Sequence, residues 1–551
     1  MAAPIGPRTG RPPTRARRGM VATPHALASS AGLQALRRGG SAVDAAIAAN
    51  AVLCVAYPHM AGLGGDGFWL IAAPDGEVTG VNASGPAAMA ATRDYYRERG
   101  HADEMPLRGP LAAVTVPGAI DGWRLAHERY GKLPWADLFD DAIHCAREGV
   151  AVGRSLADWL VDDLDLLKAE GSMASVFTPE GKAAREGELL RQPDLARSLE
   201  ILAERGAREG FYEGEVGRRF CAALEAGGSP LRTGDLAAYQ AHWETPLSAD
   251  YRGHTVYQMP PNTQGFTVLQ ILALVEGYDV AGWGDNTPDY YHHIAEAVKL
   301  AFADRDEWLS DGHWVDIPLS EMLDPAYADR RRELIHPDRA MVMDEVEPGL
   351  RFGDQHRRSP SGDTCAFNAV DADGLVVSVI QSIYHDFGCA FLAGDTGIIP
   401  QNRGSFFSLD DNHVNRMEPG KRTFHTLIPG IALRDGKPWL AFGSMGGEGQ
   451  PQSHVALLTR LIDFGYDVQQ AIEAPRWLMG RTWGIVDRDL SLEGRIPDEV
   501  IRELMRRGQP VKMLPDWDDN MGHAQAIRID HERGLLEGGA DPRGDGAALG
   551  W

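Results

Sequence analysis

The chain is poor in cysteine, with five among 551 residues: Cys54, Cys145, Cys221, Cys365 and Cys389, an odd number without C-x-x-C spacing. This argues against a disulfide framework and the usual zinc spacings, and leaves the thiols as small core residues. No apolar run reaches the roughly 18 residues that would suggest a membrane span. The opening stretch "MAAPIGPRTGRPPTRARRGM" lacks the roughly 7 to 15 apolar residues of a secretory signal. It reads as a flexible arm over 1–18, and the protein as soluble and cytoplasmic. Positive charge is also scarce: 54 Lys and Arg stand against 78 Asp and Glu, a net charge of −24. Without a clustered basic face a nucleic-acid partner is excluded, and the acidity is that of a soluble protein. Repeats and low-complexity segments are absent. So are the nucleotide motifs: "GLGGDG" is not G-x-G-x-x-G between a strand and a helix, and "GSMGGEGQ" lacks the Gly-Lys-Ser/Thr ending of a phosphate loop.

What is present is an ordinary globular composition, 44% hydrophobic and 24% charged, enough for one or two substantial cores. "TPHALASSAGLQALRRGGSAVDAAIAAN" predicts two helices, the first stopped by Gly39 and Gly40, the second opened by a Ser41/Asp44 capping box. "GFWLIAAPDGEVTGVNA" predicts a hairpin, and residues 106–339 are mainly helical in pattern. The stretch 345–363, "EVEPGLRFGDQHRRSPSGD", predicts an exposed connection. At Thr364 the pattern turns to strand: "TCAFNAVDADGLVVSVIQSIY" predicts a hairpin with its turn at Asp373 and Gly374, and more strands follow in "FHTLIPGIALRDGKPWLAFGS". Two β-rich portions with helices around them predict a layered α/β protein and not a Rossmann domain.

Taken alone, a threonine opening a strand is ordinary strand chemistry. Its hydroxyl becomes a nucleophile when the residue is N-terminal and its own α-amine takes the proton. That amine titrates near roughly pH 8, suitable for a base at neutral pH. An exposed, turn-rich segment before Thr364 and a clamped strand after it fit a cut between Asp363 and Thr364.

Eight segments in order resemble landmarks of the γ-glutamyltransferase family of N-terminal-nucleophile hydrolases: "GMVATPHALASSAGLQALRRGGSAVDAAIAAN", "GLGGDGF", "VTVPGAIDGW", "TGDLAAYQAHWETPL", "HHIAEAVKLAFADRD", "TGIIPQNRGSFFS", "PGKRTFHTLIP" and "GSMGGEGQPQ". The resemblance implies a four-layer αββα sandwich made as an autoprocessed precursor. Residues 19–363 would form a large subunit and 364–551 a small one, both in one globular domain. It implies Thr364 as nucleophile, Ser382 as a hydroxyl bonded to it, and Gly446 and Gly447 as the oxyanion hole, where glycine lets backbone approach the reacting carbonyl. No metal or organic cofactor is implied, and a homo-oligomer is left open.

The sequence departs from the transpeptidase pattern where a γ-glutamyl group would be held. Asn82 stands where the carboxylate-binding arginine belongs, Phe406 replaces the acid that binds the α-amine, His425 and Thr426 replace paired serines, and Tyr384 replaces an asparagine. Arg403, beside Asn402, is a gained cation near the nucleophile, and a guanidinium grips a carboxylate with two parallel hydrogen bonds. These features resemble the branch containing oxamate amidohydrolase. They imply a small carboxylated amide bound by Arg403, Asn402, Tyr384, His425 and Thr426, with release of ammonia. The alternatives are a γ-glutamyl hydrolase or transpeptidase, an acylase for larger amides, and a non-catalytic relative.

Overall fold

In this computed structural model residues 10–352, 363–480 and 487–551 are described, the Asp363 side chain excepted. Two seven-stranded sheets lie face to face. The first runs, in spatial order, Ala547–Gly550, Met20–Thr23, Asp363–Val370, Val376–Tyr384, Asp66–Ala72, Val78–Ala83 and His242–Glu244. The second runs Thr14–Ala16, Leu535–Ala540, Ala524–Asp530, Lys437–Ser444, Gly430–Arg434, His254–Gln258 and Leu247–Tyr251. Neighbours in both sheets are antiparallel.

Three apolar layers hold the stack. Between the sheets, Phe68, Leu70, Ala366 and Ile380 meet Leu427, Ile431, Ala441 and Ile527. Outside the first sheet lie the helices Ala26–Arg37 and Ala42–Ala56. Every residue of the second helix is buried, as expected of a segment apolar all round. Outside the second sheet lie Gly265–Glu276, Pro288–Trp308 and Gln450–Ile462. The order is helix, sheet, sheet, helix, the αββα sandwich of the N-terminal-nucleophile hydrolases. Among the described residues no helix is long and apolar enough to cross a membrane.

Local signals act as expected in several places. Ser41 Oγ accepts from Asp44 N at 3.1 Å and Asp44 Oδ2 from Ser41 N at 2.8 Å, closing the capping box. The hairpin 363–384 turns through Gly374 at φ 87°, a conformation that favours glycine. All five cysteines are free and four are buried.

Two expectations change. The arm over 1–18 is not wholly flexible: Thr14–Ala16 form an edge strand against 536–538, with Arg15 Nη2 2.7 Å from Glu537 Oε2. An edge strand needs hydrogen bonds on one side only, so a polar, basic segment serves. Residues 1–9 lie outside the described set, as does most of the expected connection, 353–362. The stretch 106–339 is chiefly helical but contributes three strands of the main sheets between His242 and Gln258. The alternation of buried and half-buried residues in His254–Gln258 is too short to stand out from helical flanks, and His242–Glu244 has none.

Close packing of backbone on backbone positions the site. A Cβ built on Gly65 would lie 2.2 Å from the Ser382 carbonyl oxygen, so the turn before Asp66 presses directly on the strand carrying Ser382. Gly65→Ala is therefore expected to cost about 3 kcal/mol or more, at or beyond the upper end of ordinary overpacking. Gly234→Ala, with nothing within 4 Å of the added carbon, is the control and changes stability little. Denaturant unfolding of the two variants checks this.

Candidate active site

Thr364 opens a central strand of the first sheet and is fully buried. The ladder to the neighbouring strand pairs Asp363 with Tyr384 and then Cys365 with Gln381. Two residues, Ser382 and Ile383, thus oppose the single Thr364, a bulge of the kind that re-aims side chains beside active sites. Gln450, at the start of the helix Gln450–Ile462, places Nε2 3.5 Å from Thr364 Oγ1, while its Oε1 accepts from Ile428 N at 3.2 Å. The positive end of that helix therefore faces the threonine.

Ser382 Oγ accepts from Tyr384 N at 2.7 Å and from Arg403 Nη2 at 3.1 Å. Both lone pairs are then engaged, leaving its hydroxyl hydrogen to donate. Tyr384 stands at φ 82°, rare for a bulky residue and costing on the order of 1–3 kcal/mol. The twist lays its ring beneath Arg403, with the guanidinium carbon 4.3 Å from the ring centre.

Arg403 is 0% exposed. Nη1 donates to Thr426 Oγ1 at 3.2 Å and Nη2 to Ser382, while Nε has no acceptor among the described residues. No carboxylate comes within ion-pairing distance of it among those residues. Burial lowers its pKa to about 10 against the attraction of Tyr384 and Asp66, so it remains cationic at neutral pH.

His425 is also fully buried, its ring edge-on to Phe68 and its Nε2 3.1 Å from Asp66 Oδ2. Burial, with the Arg403 charge behind it, holds His425 well below the usual imidazole range. Burial raises Asp66 to about 7, opposed by the Gln401 side chain, Arg403 and the amides of Gly85 and Gly118. Asn402 is turned to the scaffold: its Oδ1 accepts from His385 N at 3.1 Å and its Nδ2 donates to Leu107 O at 2.7 Å.

Gly446 and Gly447 have φ of 122° and 51°, where a side chain is strained. Their loop is braced from behind. Gln264 Nε2 donates to Gly447 O at 3.0 Å and to Thr426 O at 2.9 Å; Gln264 Oε1 accepts from Arg305 Nη1 at 3.0 Å; and Arg305 Nη2 lies 2.7 Å from Glu448 Oε2. Arg305 and Glu448 are both buried.

Thr364, Ser382, Tyr384, Arg403, His425 and Thr426 thus come together as a connected group, with Gly446 and Gly447 tied to it through Gln264. Asn402 supports the loop around them. The residue types alone did not disclose Asp66, Gln264, Arg305, Glu448 or Gln450. Asp66 begins a strand, and its only signal in the sequence is a lone acid inside the glycine run "GLGGDG". Asn82, at the missing-arginine position, is consumed locally, with Nδ2 bonded to Asn262 Oδ1 and Oδ1 to Ser84 N and Oγ. Phe406, at the missing-acid position, stacks between Tyr384 and Phe424, with both ring separations 4.5 Å.

Apart from this group, His242, Glu244 and His313 have ligating atoms within 4.8 Å of one another, a set that could hold a metal ion. Arg422 Nη2 lies 3.4 Å from His242 Nδ1, and a guanidinium there opposes a divalent cation.

A buried threonine heading a central strand of an αββα sandwich, opposite a serine of the neighbouring strand, is the arrangement of an N-terminal-nucleophile hydrolase. The chain belongs to the gamma-glutamyltranspeptidase family, whose model matches residues 28–551. It is 45% identical to a Bacillus subtilis (strain 168) protein named glutathione hydrolase-like YwrD proenzyme, over 96% of this chain and 98% of that one. It is 41% identical to the oxamate amidohydrolase proenzyme of Klebsiella pneumoniae, over 97% and 98%. The crystal structure of a cephalosporin acylase from Bacillus halodurans superimposes with a TM-score of 0.91 at 36% identity, covering 100% and 99%.

Glu448→Gln tests the brace. Removing one partner of a buried pair usually costs about 3–5 kcal/mol, and the low end applies here because Asp306 Oδ1 also lies 2.7 Å from Arg305 Nη2. The expected outcome is a lower melting temperature and a kcat that falls more than KM rises, read by calorimetry and steady-state kinetics.

Proposed function

We propose that the protein hydrolyses a small carboxylated amide of the oxamate type through an acyl-threonine ester, releasing ammonia. Cleavage of the Asp363–Thr364 bond divides the chain into segments ending at 363 and beginning at 364 and frees the Thr364 α-amine. That amine takes the proton as Thr364 Oγ1 attacks the amide carbonyl, with Ser382 donating its hydroxyl hydrogen to the attacking oxygen. The N–H groups of Gly446 and Gly447 receive the tetrahedral oxyanion. Collapse breaks the C–N bond, and the ammonium that took the proton returns it to the leaving nitrogen. Water then adds to the ester by the same steps, releasing the acid and restoring Thr364.

The observation that carries the substrate assignment is Arg403: a buried cation that donates to Thr426 and to Ser382, with its Nε unbonded among the described residues, on the hydroxyl of a residue opposite Thr364 in the neighbouring strand. A carboxylate attached directly to the scissile carbonyl meets that guanidinium without a longer spacer. The Klebsiella relative named for oxamate supports this reading. The Bacillus subtilis relative named glutathione hydrolase-like favours a γ-glutamyl substrate, against which stand the local bonding of Asn82 and the aromatic stack at Phe406.

The test is ammonia release from oxamate by protein shown to be cut before Thr364. Thr364→Ala is expected to remain one uncut chain and to release none. Arg403→Ala is expected to lose roughly 10- to 150-fold in kcat/KM, the worth of one charge-assisted contact, or more if two are lost. Turnover of γ-glutamyl-p-nitroanilide with none of oxamate would replace this reading by the γ-glutamyl one.

A further inference from the structure

Asp66 and Ser382 are direct cross-strand partners, and such partners place their side chains on the same face of a sheet. That face is the one between the sheets, because Phe68 and Ile380, two residues along each strand, belong to the inter-sheet core. Thr364, Ser382 and Asp66 therefore form a row across three adjacent strands. At about 4.8 Å between strands, the Asp66 backbone lies roughly 10 Å from that of Thr364. Arg403 is bonded to the middle member of the row, and its charge acts on both Asp66 and His425.

Asp66 is gripped asymmetrically. Its Oδ1 accepts from Gly85 N at 3.1 Å and Gly118 N at 3.0 Å, and its Oδ2 faces His425 Nε2. With the carboxylate ionised, the imidazole proton must lie on Nε2, and Nδ1 is left as a lone pair. Nδ1 is buried and has no partner among the described residues. A buried imidazole with one nitrogen committed and the other unbonded among the described residues, next to an arginine whose Nε is likewise unbonded among them, is the polar signature of a ligand's second anchor.

We propose that Asp66 is a positioning residue that sets acyl-group specificity: it fixes His425 with a bare Nδ1 in the acyl pocket, so that preferred substrates carry a hydrogen-bond donor, a hydroxyl or ammonium, besides the carboxylate. This rests on the reading that Arg403 holds that carboxylate, and it extends it to amides one carbon longer than oxamate, whose extra carbon carries the donor. The mechanism carries its own pH dependence. Above the Asp66 titration, near 7, Nδ1 is an acceptor; below it, the protonated carboxyl donates to Nε2 and the proton moves to Nδ1, which becomes a donor. The groups facing this pair are Arg403, whose charge is constant across that range, and Tyr212 and Tyr239, whose hydroxyls burial keeps neutral.

The experiment compares malonamate, 2-hydroxymalonamate and 2-aminomalonamate, which share the amide and the carboxylate and differ in the donor, on cut wild-type protein and on Asp66→Asn. Because two amide N–H groups hold Oδ1, the asparagine must turn Nδ2 toward His425 Nε2, driving the imidazole proton to Nδ1. Wild type on the alkaline side of the Asp66 titration is expected to favour a donor-bearing substrate over malonamate by about tenfold or more in kcat/KM. That ratio should collapse in Asp66→Asn and, in wild type, as pH falls through the titration. Nitrogen-15 NMR of labelled histidine should show an unprotonated Nδ1 in wild type and a protonated one in the variant. His425→Phe, expected to abolish the ratio as well, serves if Asp66→Asn does not fold. A ratio near one in wild type, or one unchanged in Asp66→Asn, overturns the proposal, as does a protonated Nδ1 in alkaline wild type. If cut wild type releases ammonia from oxamate but from none of the three, the acyl preference falls and the carboxylate reading stands; if it releases none from oxamate either, both fall, while the NMR result still decides whether Asp66 sets the tautomer.

Discussion

A guanidinium closed off from water, with no carboxylate within ion-pairing distance among the described residues, is the constraint around which this molecule is arranged. Transfer of a lone charge into a protein interior is opposed by a desolvation penalty of several kcal/mol. Here the surroundings offset part of it without neutralising it: the Tyr384 ring lies under the plane, two hydroxyls accept from the Nη atoms, and Asp66 acts from a distance. Each supporter is itself held in an unusual way. Tyr384 occupies a strained backbone conformation, Ser382 lies in the bulge opposite Thr364, and Thr426 is anchored through the Gln264 relay that also braces the glycine loop. Strain and buried charge have accumulated at one end of one sheet, which is what a scaffold does when binding is to supply the missing compensation.

The same relay explains how two distant parts of the chain act as one site. Gln264 comes from the helical half and the glycine loop from the β-rich half, yet a single side-chain amide touches the carbonyls of Thr426 and Gly447. A shift of the loop is therefore a shift of the hydroxyl under Arg403. In the proposed reaction, carboxylate binding and oxyanion stabilisation would share a mechanical support.

Much of the fold could be read in the sequence because its signals are local. A capping box, an Asp-Gly turn and the onset of strand pattern at Thr364 each depend on a few neighbouring residues, and each stands in the structure. The short strands between His242 and Gln258 were not legible, nor was the edge strand at Thr14–Ala16, because their places depend on partners hundreds of residues away. The site divides in the same way. Residues sitting in recognisable segments, Thr364, Ser382, Arg403, His425, Thr426 and the glycine pair, could be named. Asp66, Gln264, Arg305 and Glu448 acquire meaning only when sheet register and helix packing bring them together. Asn402, named for its place beside a promising arginine, has both ends of its amide bonded to backbone groups.

The strand order has one further outcome. In the first sheet, strands from beyond residue 363 lie between strands from before it, and in the second a block of late strands is flanked by early ones on both sides. A break in the chain before Thr364 would leave two polypeptides whose hydrogen-bonded ladders alternate, so neither could leave without unzipping the centre of both sheets. The two pieces would behave as one folding unit made once. Each nucleophile would stay for life with the arginine and glycine loop it was synthesised with, and a damaged half could not be exchanged for a sound one.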